Sequence, residues 1–290
     1  MNMRICAIDS SGLVAGVAIS DNGICLAEYD VQYQVTHSKT LMPMLDQVMS
    51  RLETSVSDVD AYAVTAGPGS FTGLRIGIAT VKGLGLAADR PVAAIPTLEA
   101  LAYNAYGYDG YVCPIMDARR QQVYAGIYRF DHVDQRDNAA IASTDASGSV
   151  PVCDINSVDA GSSRQAGLTV SRIRVIRPQS AMSFDDLCGQ LNVLCRDGGR
   201  VLFIGDGIPV FADRMSELLE VSYDLAPLHL NRQRAGSLAA LANLYFGLTA
   251  DERAGRGLEG CITDAEGLTP IYLRMSQAER ERRQRDAGLS

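Results

Sequence analysis

The chain has no tryptophan and only three histidines among its 290 residues. His37, His132 and His229 each lack a second histidine three or four positions away, so the helical ligand pairs of zinc hydrolases are missing. No GxSxG nucleophile elbow occurs either. The seven cysteines (Cys6, Cys25, Cys113, Cys153, Cys188, Cys195 and Cys261) form no CxxC pair, and their odd number does not make a secreted disulfide framework. Long apolar runs are absent, and the opening MNMRICAIDSSG passes into a strand pattern without the apolar region of a signal peptide, so a cytoplasmic protein with no membrane contact is expected. Basic charge is also scarce: 26 Lys and Arg face 34 Asp and Glu, a formal net charge of -8. Phosphate neutralisation drives most nucleic-acid affinity, so such a chain needs a basic partner in any RNA pathway.

What is present is the make-up of an ordinary folded protein, with 47% hydrophobic and 21% charged residues and enough length for two linked domains. MRICAID, LVAGVAIS and GICLAEYDV read as adjacent strands, the last two joined by the hairpin signal Asp21, Asn22 and Gly23. The period then changes. Leu41, Leu45, Val48 and Leu52 line one helical face from His37 to Leu52, Met42 and Met49 broaden it, and Pro43 is expected in the first turn. A strand at DAYAVTA, a helix from about Thr72 to Ala88 and a strand at RPVAAIP complete the order βββαβαβ, which implies a mixed sheet with at least one covered face.

A second set of strands begins at YVCPIMDA and QQVYAGIYRF, so two related sheets with a cleft between them are expected, the first domain over 1–105 and the second over 106–275. Between Asp131 and Ser183 the pattern collapses into Ser, Asp, Ala and Gly, with only RIRVI resembling a strand, and much of it reads as a mobile insertion. RVLFIGDGI resumes the order, followed by helical patterns over Val210 to Leu219 and Ser237 to Leu248. The latter is a candidate to pack back on the first lobe. Residues 276–290 read as a charged tail.

The stretch TAGPGSFTGLRIG, Thr65 to Gly77, carries four glycines and a proline. A strand, a glycine turn and a helix start can present amides to a phosphate. The nucleotide fingerprints fail, however: Gly73 is followed by Leu74 and Arg75 rather than by Lys and a hydroxyl residue, and Thr72 stands where a dinucleotide loop needs glycine. Inside the helix, Gly73 and Gly77 form one ridge of small residues and Ala79, Gly83 and Ala87 another. Each glycine costs about 1 kcal/mol relative to alanine in a helix, which calls for close packing, either against the chain's own sheet or against a partner helix. Carboxylates at strand ends form a second constellation. Asp9 precedes Ser10, Ser11 and Gly12, Asp117 ends a strand of the second half, and Asp206 lies between Gly205 and Gly207. Such positions flank the nucleotide cleft where two sheet domains clamp a magnesium nucleotide, and they are also ordinary turn residues.

AGPGSFTGLRIGIATVKGLGLA, with IDSS, MDARRQQVYAGIY, FIGDG and PIYLR in that order, resembles the TsaB (YeaZ) family over about residues 4 to 275. The resemblance implies an α/β fold of the actin, sugar-kinase and heat-shock-chaperone ATPase type, with two lobes built on ribonuclease-H-like sheets. It implies a scaffold without catalysis of its own that pairs with TsaD, or with a second copy of itself, in making N6-threonylcarbamoyladenosine at position 37 of tRNAs reading codons that begin with adenine. TsaE joins through the complex, and tRNA is met mainly through TsaD. Carried over by matching position, Gly69, Ser70, Phe71, Thr72, Gly73, Arg75 and Gly77 form the docking loop and helix start, with Met42, Leu45 and Met49 as contacts on the neighbouring helix. No cofactor of its own is implied; ATP or ADP with magnesium would lie at the cleft or the partner interface. The alternative is an active ATPase or kinase of the same fold, using Asp9 and Asp117 around a magnesium nucleotide with Gly205, Asp206 and Gly207 near adenosine. An independent protease is a third class, without any motif here to support it.

Overall fold

The computed structural model describes residues 3–32, 36–134 and 169–274. Strands β1 (Arg4–Asp9), β2 (Ala15–Asp21) and β3 (Ile24–Val31) form an antiparallel meander. Asn22 and Gly23 both take positive φ at the β2–β3 turn, the twist that a two-residue hairpin requires. Helix α1 (His37–Arg51), β4 (Ala61–Gly67), α2 (Phe71–Ala88) and β5 (Val92–Pro96) complete the order read from the sequence. Because α1 starts at His37, Pro43 is in its second turn rather than its first.

After α3 (Thr97–Tyr103) the pattern repeats in a second sheet. Strands β6 (Tyr111–Asp117), β7 (Gln122–Asp134) and β8 (Thr169–Ser183) form a second antiparallel meander. Then follow α4 (Phe184–Leu194), β9 (Val201–Ile204), α5 (Ile208–Leu218), β10 (Tyr223–Leu225), α6 (Ala235–Gly247), α7 (Ala250–Ala254) and β11 (Ile262–Thr263). The first sheet has the order β11-β5-β4-β1-β2-β3 and the second β10-β9-β6-β7-β8. In each, the first strand pairs antiparallel with the second and parallel with the fourth, so β6 occupies the place of β1 and β9 the place of β4. These are the two ribonuclease-H-like lobes of the actin-like ATPase fold.

The expected insertion from Asp131 to Ser183 is corrected at both edges, where β7 runs to Asp134 and β8 starts at Thr169. Strand β8 is hard to read because it is an edge strand, with Pro178 opposite a register shift around Gly126, where a missing N–H costs no ladder bond. Residues 135–168 and the expected tail, 276–290, lie outside the described residues.

Strand alternation separates the faces. Cys6, Ile8, Tyr62 and Val64 meet α1 and α2 in one cluster. Ile5, Ala7, Ala61 and Ala63 point the other way, into a larger core shared with α3, α6 and the near face of the second sheet. Cys113, Ile115 and Phe203 point outward beneath α4 and α5. The layers therefore run α, β, α, β, α. Helix α6 is apolar on all sides, as a helix buried between two sheets must be. Its N-terminal amides are satisfied from β3: Gly236 N–H donates to Glu28 (2.8 Å) and Ala235 N–H to Asp30 (3.3 Å), while Arg234 pairs with Glu28 at 2.6 Å.

Glu99 is buried in the middle layer, where burial raises its pKa to about 7 against the pull of the Tyr245 hydroxyl and the Arg256 guanidinium. The folded protein therefore holds a proton that the unfolded chain releases near 4.5, so stability falls as pH rises from about 4.5 to about 7. Glu99→Gln is expected to flatten this fall and to stabilise the protein at pH 8 by the order of 2 kcal/mol. Urea melts of both forms at pH 5 and pH 8 check it, and parallel pH dependence in the two would contradict it.

Candidate functional site: the glycine loop and the strand ends

The glycine stretch bridges the end of β4 and the start of α2. Gly67 has φ 126°, and a Cβ there would run into the carbonyl oxygen of Ile271. Ser70 caps α2, its hydroxyl accepting from Gly73 N–H at 3.3 Å, while Ser70 N–H donates to the Ser11 carbonyl at 2.7 Å. Ser10 Oγ donates to the Gly73 carbonyl at 2.8 Å. A Cβ at Gly69 would overlap the Ser11 carbonyl, and one at Gly73 or Gly77 would overlap Ser10. Gly69, Gly73 and Gly77 are thus the inner ridge, set against the loop that follows β1. Two amides of the supposed phosphate cradle already have partners within the chain.

The outer ridge is different. Thr72, Arg75, Ala79, Gly83 and Leu86 face solvent, and nothing lies within 4 Å of a Cβ built on Gly83. On α1, Met42 is 50% exposed, whereas Leu45 is 2% and Met49 8% exposed. The expectation for Leu45 and Met49 is corrected: they pack with Leu41 and Val48 on the sheet, and a stripe at helical spacing here is core. Met42 alone of the three is exposed.

The C-terminal segment crosses this loop. Ile271 N–H donates to the Ala66 carbonyl at 2.6 Å, and Tyr272 stacks on Phe71 with ring centroids 4.9 Å apart. Arg75 lies over Phe71, 4.2 Å from its centroid, and its Nε donates to the Tyr272 hydroxyl at 3.1 Å. From the second lobe, Gln179 donates to the Gly67 carbonyl (2.8 Å) and accepts from Leu98 N–H (3.2 Å). Sequence reasoning missed the parts played by Gln179 and Tyr272. The PIYLR motif marks the second, but no pattern pointed to the first.

Asp9 and Asp117 end the equivalent strands β1 and β6. Asp9 is 1% exposed, and its Oδ1 accepts from Ser11 N–H (2.9 Å), Ser11 Oγ (2.7 Å) and Thr65 Oγ1 (2.9 Å). Its Oδ2 is buried without a partner, and burial raises its pKa. Asp117 accepts from Arg119 N–H at 2.7 Å, and Asp206 Oδ1 accepts from Asp117 N–H at 3.4 Å. Burial also raises the pKa of Asp206. Gly205 and Gly207 complete this group by packing on the Ile115 backbone, and Gly205 N–H donates to Asn231 Oδ1 at 2.5 Å. Asp117, Gly205, Asp206 and Gly207 therefore come together in the second lobe, with Asp9 at the matching point of the first. Gln233 stands between the two ends: its amide lies 2.6 Å from where Gly12 would carry a Cβ, and it donates to Met116 Sδ at 3.6 Å. Among the described residues no three of His, Cys, Asp and Glu converge as metal ligands.

A family model described as "TsaD: tRNA N6-adenosine threonylcarbamoyltransferase" matches residues 32–176. The Bacillus subtilis (strain 168) protein "tRNA threonylcarbamoyladenosine biosynthesis protein TsaB" is 28% identical over 277 residues, covering 96% of both chains. The Escherichia coli (strain K12) protein of the same name is 36% identical over 131 residues, 44% of this chain and 56% of that one. Among solved structures, an uncharacterized protein with similarity to peptidase YEAZ from Pseudomonas aeruginosa superposes with a TM-score of 0.65 at 25% identity, over 94% of this chain and 100% of the other. YeaZ from Pseudomonas aeruginosa gives a TM-score of 0.64 at 24% identity, over 93% and 100%.

The two ridges of α2 respond oppositely to added bulk. Gly77→Ala forces a methyl group into Ser10 and is expected to cost about 1–3 kcal/mol. Gly83→Ala extends into open space and is expected to stabilise by up to about 1 kcal/mol. Thermal melts of the two variants check the assignment, and equal responses would refute it.

Proposed function

Because the chain belongs to the TsaB (YeaZ) family, we propose that it serves tRNA threonylcarbamoyladenosine biosynthesis as a non-catalytic subunit that pairs with TsaD through the outer faces of α1 and α2. The observation that carries this reading is the division of α2 into an inner glycine ridge seated on Ser10 and an outer face on which Ala79 and Gly83 are open to solvent, with Met42 exposed on the adjoining α1. The small residues Ala79 and Gly83 let a second helix approach closely there, and the apolar Met42 and Leu86 supply area to bury. The same face would pair two copies of the chain when TsaD is absent. The transfer chemistry and most of the tRNA contact fall to TsaD in this reading, with TsaE joining the assembly and the site of action cytoplasmic.

Two features support this reading over a nucleotide hydrolase of the same fold. Asp9 Oδ1 is filled by three donors of its own chain, and the Gln233 amide sits against Gly12 in the loop after β1. In this reading the chain needs no cofactor of its own.

Gly83→Leu and Met42→Asp are expected to leave the melting temperature within a few degrees of the parent while weakening co-elution with TsaD at least tenfold, because bulk or charge then stands in a desolvated contact. A tRNA modification assay with TsaD, TsaE, ATP and a threonylcarbamoyl-adenylate source is expected to fail without this chain. Undiminished pairing by both folded variants would reject the interface, and full modification without the chain would reject the role.

A further inference from the structure

In a chain of net charge -8, Arg274 of the C-terminal segment lies against the turn that carries Arg119 and Arg120. Arg274 Nη1 donates to the carbonyl of Ala118 and, at 3.4 Å, to that of Arg119, which fixes it to the turn between β6 and β7. That turn is unusual: Arg119, Arg120 and Gln121 all take positive φ, at 65°, 55° and 58°, and all three are exposed. Three consecutive left-handed residues other than glycine are costly and persist where the surroundings hold them. Here Asp117 accepts the Arg119 amide, and Ala118 N–H donates to the Gln122 carbonyl at 3.0 Å. The consequence is a tight turn that carries two consecutive exposed arginines. Asp117 also pairs with Arg119 at 3.3 Å, but that arginine's side chain stays 87% exposed. Two residues before Arg274, Tyr272 is 41% exposed, stacked on Phe71 and held by Arg75.

We propose that this ledge, formed by Arg119, Arg120, Tyr272 and Arg274, is a direct RNA contact of the chain. The guanidinium groups take the phosphates of a looped or single strand, and the Tyr272 ring offers a stacking face to a base. Guanidinium groups match phosphate oxygens in paired hydrogen bonds, and aromatic rings beside basic side chains are the recurring platform for unpaired bases. An acidic protein would match the arginines but leaves the fixed, exposed ring without a purpose. The choice of RNA over other polyanions rests on the proposed role in tRNA modification; the ledge itself does not depend on pairing through α1 and α2.

The probe is a fluorescein-labelled RNA hairpin with a seven-nucleotide loop, titrated with the full chain alone and with its TsaD complex at several salt concentrations. Arg119→Asn with Arg120→Asn removes both charges while keeping a residue type that accepts the left-handed region, and Tyr272→Leu removes the stacking face. The double variant is expected to bind roughly tenfold more weakly at 0.1 M salt and to lower the slope of log K against log salt by roughly 1 to 2. Tyr272→Leu weakens binding to the looped RNA with the slope unchanged. Arg119→Lys with Arg120→Lys retains most of the affinity. All variants co-elute with TsaD as the parent does, so loss of RNA contact is separable from failure of the pairing reading. Equal affinity of parent and double variant, alone and in the complex, overturns the proposal. So does competition by poly-L-glutamate as effective as by unlabelled hairpin, which would make the ledge a site for acidic proteins.

Discussion

Helix α6 lies on a sheet face rich in alanine: Ala7, Ala18, Ala61, Ala63 and Ala93 meet a helix that brings Ala235, Ala239 and Ala242 to the same cluster. Small side chains on both partners permit a close approach, and close approach is what allows one layer of helix to serve two sheets. On its far side that layer meets larger residues, Met116, Tyr128, Phe130 and Leu202, which set the separation of the second lobe. Cores pack at near-crystalline density, so the relative position of the lobes is fixed by these volumes rather than by the few polar bridges between them. The strand ends bearing Asp9 and Asp117 inherit their positions from this middle layer.

Both lobes meet the same steric problem at the same place. Where the fourth strand of each sheet hands over to its helix, the chain must pass close to the end of the first strand. Gly67 and Gly205 take nearly the same left-handed φ, 126° and 120°, at these equivalent points. In the first lobe the following glycines pack on Ser10 and Ser11, and in the second Gly205 and Gly207 pack on Ile115. A glycine-rich turn between a strand and a helix therefore answers here to backbone crowding within the chain. It resembles a phosphate loop because both need bare backbone, but a loop crowded against its own strand has less backbone to offer a ligand.

Much of this architecture was legible because β1 to β5 alternate or run apolar in short bounded segments, with Asn22-Gly23 marking the hairpin. Helix α3 was not, since all seven of its residues are buried, Glu99 among them, and a short helix buried on every side has no period to detect. Helix α4 did leave a signal: Ser183 caps the Asp186 amide at 3.1 Å, a Ser-x-x-Asp start that straddles the end of the stretch read as insertion. At the site, the two ridges of small residues on α2 were visible as periods, but only the fold says which of them faces Ser10. Leu45 and Met49 were misassigned because an apolar stripe has the same spacing whether it faces the chain's own sheet or a partner's helix. Gln179 left no trace at all, because its value lies in spanning Gly67 and Leu98 from another lobe.

The glycine loop is tied down from three directions that are far apart in sequence: Ser10 and Ser11 beneath it, Gln179 from the second lobe, and Ile271 at the C-terminal end of the described chain. Each tie is a single hydrogen bond worth about 1 kcal/mol net, yet together they fix a segment whose glycines alone would leave it loose. The outer ridge of α2 begins only a few residues beyond these ties, so its height above the sheet is set by Ser10 and not by any side chain it exposes. Surface chemistry on the outer ridge and geometry on the inner one are thereby decoupled. Under the proposed pairing, that separation lets the exposed face be tuned to a partner without disturbing the packing that holds it in place.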